Sequence, residues 1–231
     1  MKRLASGRYE IALHELRPGP GPVLLALHAL GGGAHDWTGL AAHWLGRVYA
    51  LDFAGHGGSD WARGGSYTPE LHAADADTAL AELGEAPLAE LGEACLVGAG
   101  LGAYVALLLA GARPARVAAA LLLPGRGLDG GGPAPRPFDP GEELNADVWR
   151  MLAAREITPR PAFDPMLRGC ENDPRPPDYA RPFADAARRL LFAEDGGARP
   201  PWWEAARGAQ RAERAPADAA AALAVLSSAA R

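Results

Sequence analysis

Buried strands and helical segments alternate along the first half of the sequence. Four apolar runs have the length and composition of strands covered on both faces, and residues with helical spacing lie between them. The runs are 23–28, 47–53, 95–99 and 115–123, and the helical segments are 37–45, 68–83 and 101–111. This order is typical of a mainly parallel, doubly wound sheet with helices on both faces, so we predict an α/β fold.

The second half of the sequence has a weaker pattern. Glycine, proline and charged residues without core periodicity predict a loop over 125–141. We interpret 125–188 as an insertion into a single domain that spans 1–231. The remaining elements are a strand at 9–16 that we place at the sheet edge, helices at 142–155 and 178–188, a strand at 189–196, a helix from Pro200, a strand at 212–215 and a helix at 218–228.

A glycine-rich corner separates the third apolar run from its helix. Gly98-Ala99-Gly100-Leu101-Gly102 predicts a sharp strand-turn-helix connection. Two further glycine-rich segments, His28-Ala29-Leu30-Gly31-Gly32 and the stretch from Asp52 to Asp60, follow the first and second runs. The three segments agree in type, order and spacing with one known pattern.

These motifs resemble those of the α/β-hydrolase superfamily, between Val23 and Pro124. The segment 28–32 is similar to the loop that supplies one oxyanion-hole amide, and 52–60 is similar to the D-x-x-G-H-G-x-S-D turn. The segment 98–102 falls at the nucleophile elbow, G-x-S-x-G. The resemblance places the nucleophile position at Gly100 and the triad acid at Asp195, and it makes the 125–188 insertion a reduced cap.

The set of residues needed for triad chemistry is incomplete in this sequence. Acyl transfer needs a nucleophile, a histidine base and an acid that orients the histidine. Gly100 replaces the nucleophile, and the last of the six histidines is His72, although the family places its catalytic histidine after the last strand, near 215–218. We therefore expect a pseudohydrolase without Ser-His-Asp chemistry.

One part of the catalytic apparatus of the family, the pair of amides that binds an acyl oxygen, depends on the backbone alone. The amide of Leu101 at the helix start and an amide from Ala29 or Leu30 are expected to converge, and glycine at position 100 is expected to leave open space above them. Such a pair binds a small carbonyl or acidic ligand. The predicted ligand-binding residues are His28, Ala29, Leu30, His35, Trp37, Gly100 and Leu101.

Several of these residues have structural alternatives. Hydrogen bonding within the fold is the favoured explanation for His28 and His56, and anchoring of a helix is favoured for Trp202-Trp203. Helix-entry packing is an equal explanation for His35 and Trp37. A diverged hydrolase or lyase that uses His28, His35 or a carboxylate with bound water stays open. A scaffold protein that presents 125–182 to a partner also stays open.

Composition narrows the classes of partner and cofactor. The 231 residues are 48% hydrophobic and 22% charged with a net charge of −5, which fits a globular domain, and no basic stripe indicates nucleic acid. Cys95 and Cys170 form neither a disulfide framework nor a zinc motif. No grouping of His, Cys, Asp and Glu has metal-ligand spacing, so we predict no metal, and we predict no cofactor. No apolar run reaches about 18 residues and 1–17 lacks a leader-like core, which predicts a cytoplasmic protein with no membrane contact. A homodimer is left open.

Overall fold

One eight-stranded sheet organises the part of the chain that the structure describes. The computed structural model describes residues 1–62, 66–84, 93–128, 163–194 and 196–228. Within them the eight strands are β1 Lys2–Ser6, β2 Tyr9–Arg17, β3 Val23–Leu27, β4 Arg47–Asp52, β5 Ala94–Ala99, β6 Val117–Leu123, β7 Leu190–Ala193 and β8 Ala212–Ala215. Their order in the sheet is β1-β2-β4-β3-β5-β6-β7-β8.

The sheet is parallel from β4 to β8 and antiparallel at one end. β3 pairs in parallel with both β4 and β5, and β6, β7 and β8 continue the parallel arrangement. β1 and β2 form a hairpin, and β2 pairs antiparallel with β4. The predicted mainly parallel α/β fold is therefore confirmed. β2 is not the edge strand we expected, because β1 lies outside it.

Helices cover both faces of the sheet. The α-helices are α1 Thr38–Ala41, α2 Pro69–Leu83, α3 Leu101–Ala112, α4 Arg181–Ala186, α5 Pro201–Arg207 and α6 Ala219–Ser227. Successive side chains of β3 alternate between two cores: Leu25 and Leu27 lie in the one that contains α2 to α5, and Leu24 and Ala26 lie in the one that contains α1 and α6. This alternation is the pleat of a strand buried on both sides.

Helix starts follow local capping rules. The hydroxyl of Thr68 accepts a hydrogen bond from the Leu71 amide at 3.3 Å, and Pro69 occupies the first position of α2. These two residues account for the start of the helix predicted at 68–83, because an N-cap hydroxyl satisfies a free amide and proline needs no donor there. In the same way, the Asp218 carboxylate accepts from the Ala221 amide at 2.7 Å and starts α6.

Two predicted helices differ in the structure. The segment 37–45 is instead a 3₁₀ turn at Ala34–Trp37 that continues into the short α1. Trp44 ends this region, because its indole is fully buried and donates to the Pro22 carbonyl at 2.8 Å. The segment 178–188 is a 3₁₀ helix at Pro177–Ala180 followed by α4. The helix predicted at 142–155 and most of the 125–188 insertion lie outside the described residues.

None of the helices in the described ranges combines the length and the apolar character that crossing a bilayer requires.

Candidate active site

The corner between β5 and α3 is a sharp strand-to-helix turn. Gly100 adopts φ 53° and ψ −116°, a conformation that residues with a side chain rarely adopt. The backbone crossings on either side are close: a Cβ on Gly98 would lie 2.2 Å from the Gly102 carbonyl oxygen, and one on Gly102 would lie 2.1 Å from the Leu27 oxygen. Three glycines therefore allow this turn to form.

Two backbone amides converge above the turn. The amides of Leu30 and Leu101 both donate to one oxygen, the carbonyl oxygen of Arg126, and each N–O distance is 3.0 Å. Leu30 belongs to the loop after β3, and Leu101 is the first residue of α3. Two donors aimed at a single oxygen form the arrangement that stabilises an oxyanion in acyl transfer. In this structure the acceptor is a carbonyl of the chain itself.

The acceptor belongs to residues 125–128, which we call the strap. A Cβ built on Gly100 would lie 2.2 Å from the Arg126 oxygen and 2.5 Å from the Gly125 carbonyl carbon. The open space that the sequence predicted above Gly100 is therefore filled by backbone. The reason is that the strap has its own glycines: a Cβ on Gly125 would lie 2.7 Å from the Gly100 nitrogen, and one on Gly127 would lie 2.9 Å from the Leu101 Cβ.

The far end of the strap is fixed by two hydrogen bonds at Leu128. Its amide donates to the Cys170 carbonyl at 2.8 Å, and its carbonyl accepts from the indole nitrogen of Trp202 at 3.1 Å. Leu128 has a φ of 57°, which is uncommon for a residue with a side chain. Arg126 adds an ion pair with Glu171. Long-range contacts therefore hold the strap in place.

The two histidines nearest the site stabilise its loops. His28 Nε2 accepts from the Phe53 amide at 3.1 Å, while its Nδ1 lies 2.7 Å from the Ala29 oxygen and donates to it. His56 Nε2 accepts from the Gly31 amide at 3.1 Å. Burial lowers the pKa of His28 to about 4 and that of His56 to about 2. Both rings are therefore neutral at pH 7, and the Nε2 lone pair of each is already engaged.

The other predicted ligand residues lie apart. The His35 side chain is 83% exposed, and its Nε2 lies 3.1 Å from the Asp36 carboxylate. Trp37 is buried in the core on the α1 and α6 side of the sheet, whereas Leu30 and Leu101 lie in the core on the other side. The structure brings Leu30, Gly100 and Leu101 together around the Arg126 oxygen. The His28 ring is hydrogen-bonded to the carbonyl of Ala29 in the segment after β3.

The structure describes one of the two later positions that the resemblance assigns to the triad. Asp195, the predicted acid, lies outside the described residues. Asp218, in the loop where the resemblance places the histidine, caps α6. Ser59, the hydroxyl of the second glycine-rich turn, accepts from the Ala12 amide at 2.8 Å and donates to the Asp52 carbonyl at 2.5 Å. Both of its hydrogen-bonding roles are therefore structural.

Carboxylates and thiols around the site are likewise engaged or shielded. Asp52 accepts from the amides of Ala34 at 2.7 Å and Gly58 at 2.8 Å, which ties the two glycine-rich loops together. Burial raises the pKa of both Cys95 and Cys170 to about 12, so neither thiol is reactive at neutral pH. No group of three or more His, Cys, Asp or Glu side chains in the described residues is placed to hold a metal ion.

Sequence reasoning missed Arg126 and the role of Trp202. The sequence signal for the strap is its pair of glycines shortly after a buried strand. Glycine spacing does not tell which distant part of the backbone the strap approaches. Trp202 was predicted to anchor a helix. Its ring packs edge-on against Tyr104 of α3 with centroids 4.9 Å apart, and its indole nitrogen in addition anchors the strap.

Comparison with known protein families gives a match over most of the chain. The family model described as the alpha/beta hydrolase family matches residues 23–229. The chain belongs to that family. The match includes every element from β3 to α6, and therefore both of the loops that supply the converging amides.

Relatives differ in how much of this chain they cover. Esterase Rv0045c of Mycobacterium tuberculosis is 34% identical over 96 residues, which is 42% of this chain and 30% of the esterase. The crystal structure of the hypothetical protein PA1622 from Pseudomonas aeruginosa PAO1 has a TM-score of 0.64 and 26% identity, and covers 97% of this chain and 96% of that one. The bottromycin epimerase BotH has a TM-score of 0.61 and 19% identity, with 99% and 94% covered.

Proposed function

We propose that this member of the alpha/beta hydrolase family is a pseudohydrolase that binds a small carbonyl-bearing or acidic molecule at the paired amides of Leu30 and Leu101. The observation that carries the proposal is the convergence of both amides on one carbonyl oxygen above a residue without a side chain. The donors that recognise an acyl oxygen are present. The groups that would attack it are absent from the corresponding positions.

Ser-His-Asp chemistry fails at two separate points. Gly100 offers no hydroxyl, and the chain has no histidine after His72. His28 and His56 accept backbone hydrogen bonds through Nε2 and are disfavoured as bases by burial. A mechanism in which His28 activates water would require that bond to break. The fold itself permits non-hydrolytic roles, since BotH is an epimerase of similar architecture.

A panel of short acyl esters tests the proposal. Wild-type protein is expected to release no more p-nitrophenol from p-nitrophenyl acetate or butyrate than buffer does. Gly100→Ser is also expected to be inactive, because a serine without a base remains a neutral alcohol and loss of one triad member can cost about 10⁶ in kcat. The matched control is Gly39→Ser, since a Cβ at the exposed Gly39 meets no atom within 4 Å.

Turnover by wild type at a rate typical of a hydrolase would contradict the proposal. Turnover by Gly100→Ser alone would show that one of the histidines assigned to the loops reaches the new hydroxyl. Placing a histidine at position 218 in addition, as Gly100→Ser with Asp218→His, tests whether the base can be restored. That change also removes the cap of α6, at a cost of about 1 kcal/mol, so folding is checked by circular dichroism.

A further inference from the structure

The paired amides already have a ligand, which is the strap. We infer that the strap is an intramolecular competitor, and that a carbonyl or carboxylate ligand binds by displacing the Arg126 oxygen from the amides of Leu30 and Leu101. This inference rests on the proposed function and adds the regulation of the same site. It follows from the two 3.0 Å hydrogen bonds and from the strap backbone that lies where a Cβ on Gly100 would be.

The strap satisfies the amides as a ligand would. Each amide has one acceptor, and both share the same oxygen, so a free ligand oxygen can bind only after the Arg126 carbonyl leaves. A tethered group acts at a roughly millimolar or higher effective concentration, which a free molecule must exceed or out-bind. The occupied state is therefore the resting state of this site.

The strap is built so that it can leave. Gly125 and Gly127 flank Arg126, and Gly127 has a φ of 110°. Glycine has no side-chain barrier to a change in φ and ψ, so these residues are suitable hinges. Leu128 at the end of the strap holds an unfavourable φ of 57°. Strain of this kind persists only while surrounding contacts enforce it.

Those contacts can be removed singly. The indole of Trp202 donates to the Leu128 carbonyl, and the Arg126 guanidinium pairs with Glu171. The Trp202 contact is buried and the Glu171 pair is exposed, so the indole bond contributes more to holding the strap. Loss of either contact raises the fraction of molecules in which the strap has left the amides.

The test measures amide hydrogen exchange at Leu30 and Leu101 in wild type and in Trp202→Phe. The matched control is Trp44→Phe, which removes an indole donor to the Pro22 carbonyl in the core on the other side of the sheet. Because one buried hydrogen bond changes an equilibrium by about 2-fold to 10-fold, exchange at both amides is expected to rise by that factor in Trp202→Phe and not in Trp44→Phe.

The same samples are then titrated with sodium acetate and with N-methylacetamide, and the amide chemical shifts of Leu30 and Leu101 are followed. Apparent affinity scales with the fraction of open molecules, and so does exchange. The affinity gain in Trp202→Phe is therefore expected to equal its gain in exchange rate. The acetate arm reports a carboxylate ligand, and the N-methylacetamide arm reports a neutral carbonyl.

Two results would overturn the inference. The first is an exchange rate at the two amides that changes no more in Trp202→Phe than in Trp44→Phe. That result would show that the Trp202 indole does not hold the strap on the amides. Faster exchange with no shift on adding either probe would refute displacement by a ligand. If Trp202→Phe does not fold, Glu171→Gln replaces it, and Glu213→Gln is its control. The exchange rate of the Leu30 and Leu101 amides is then expected to rise by up to about fivefold in Glu171→Gln. Ester turnover would contradict the proposed function and leave the exchange result intact.

Discussion

Replacing Gly100 by serine is expected to destabilise the protein as well as fail to activate it. The Cβ of the new residue would lie 2.2 Å from the Arg126 oxygen and 2.5 Å from the Gly125 carbonyl carbon, and both are backbone atoms that move only if the strap itself moves. The residue would also hold φ at 53°. A side chain in the left-handed region costs about 1 to 2 kcal/mol.

The clash adds to that cost in one of two ways. If the strap stays, overpacking costs about 1 to 3 kcal/mol. If the strap leaves, the hydrogen bonds from Leu30 and Leu101 to Arg126 are lost, at about 1 kcal/mol each. Either route gives a total of about 2 to 5 kcal/mol, a large share of the 5 to 15 kcal/mol typical of a domain.

Urea unfolding followed by circular dichroism measures this difference. Gly39→Ser is the control, because Gly39 is exposed in α1 with no atom within 4 Å of a Cβ, and its stability is expected to stay within about 0.5 kcal/mol of wild type. If Gly100→Ser is also within about 0.5 kcal/mol of wild type, the strap does not fill the space above residue 100. The account of the occupied site would then be wrong.

Three further predictions concern the groups around the site. The pKa of His56 is lowered to about 2, so its contribution to stability is complete above the unfolded value near 6.5 and is lost as pH falls from there. When the pH is lowered from about 7 to about 5, the free energy of unfolding is expected to fall by about 2 kcal/mol more in wild type than in His56→Gln. Equal falls in urea titrations of the two proteins would refute the lowered pKa of His56. Ser59→Ala leaves the buried Ala12 amide unpaired and is expected to cost about 1 to 3 kcal/mol, against little change for Ser227→Ala; a neutral result would contradict the structural role. Cys95 and Cys170 are expected to react with Ellman's reagent only after unfolding, and rapid labelling of native protein would count against their burial.

The sheet and the turn could be predicted from the sequence because both depend on local signals. The apolar runs of β3 to β6 mark strands buried on both faces, and the glycines at 98, 100 and 102 mark a corner where backbones cross closely. β1 was missed because only Leu4 and Ser6 of its five residues are buried. So short and mixed a pattern does not stand out from a polar terminus.

The strap could not be predicted because its structure depends on contacts far away in sequence. Residues 125–128 have the composition of a loop, and their conformation is fixed by Leu30, Cys170 and Trp202. The prediction that Trp37 binds the ligand failed for a related reason. A residue that follows a loop has no strand alternation to assign it to one face of the sheet, and packing placed it in the core away from the turn.

Intact-mass spectrometry after incubation with a fluorophosphonate tests the central claim most directly. The probe forms a covalent bond with a serine that an adjacent base activates, and it does not require knowledge of the substrate. The account predicts an unchanged mass, because it assigns the nucleophile position to Gly100 and no histidine follows His72. An increase by one phosphonyl adduct on any serine of the folded protein would contradict it.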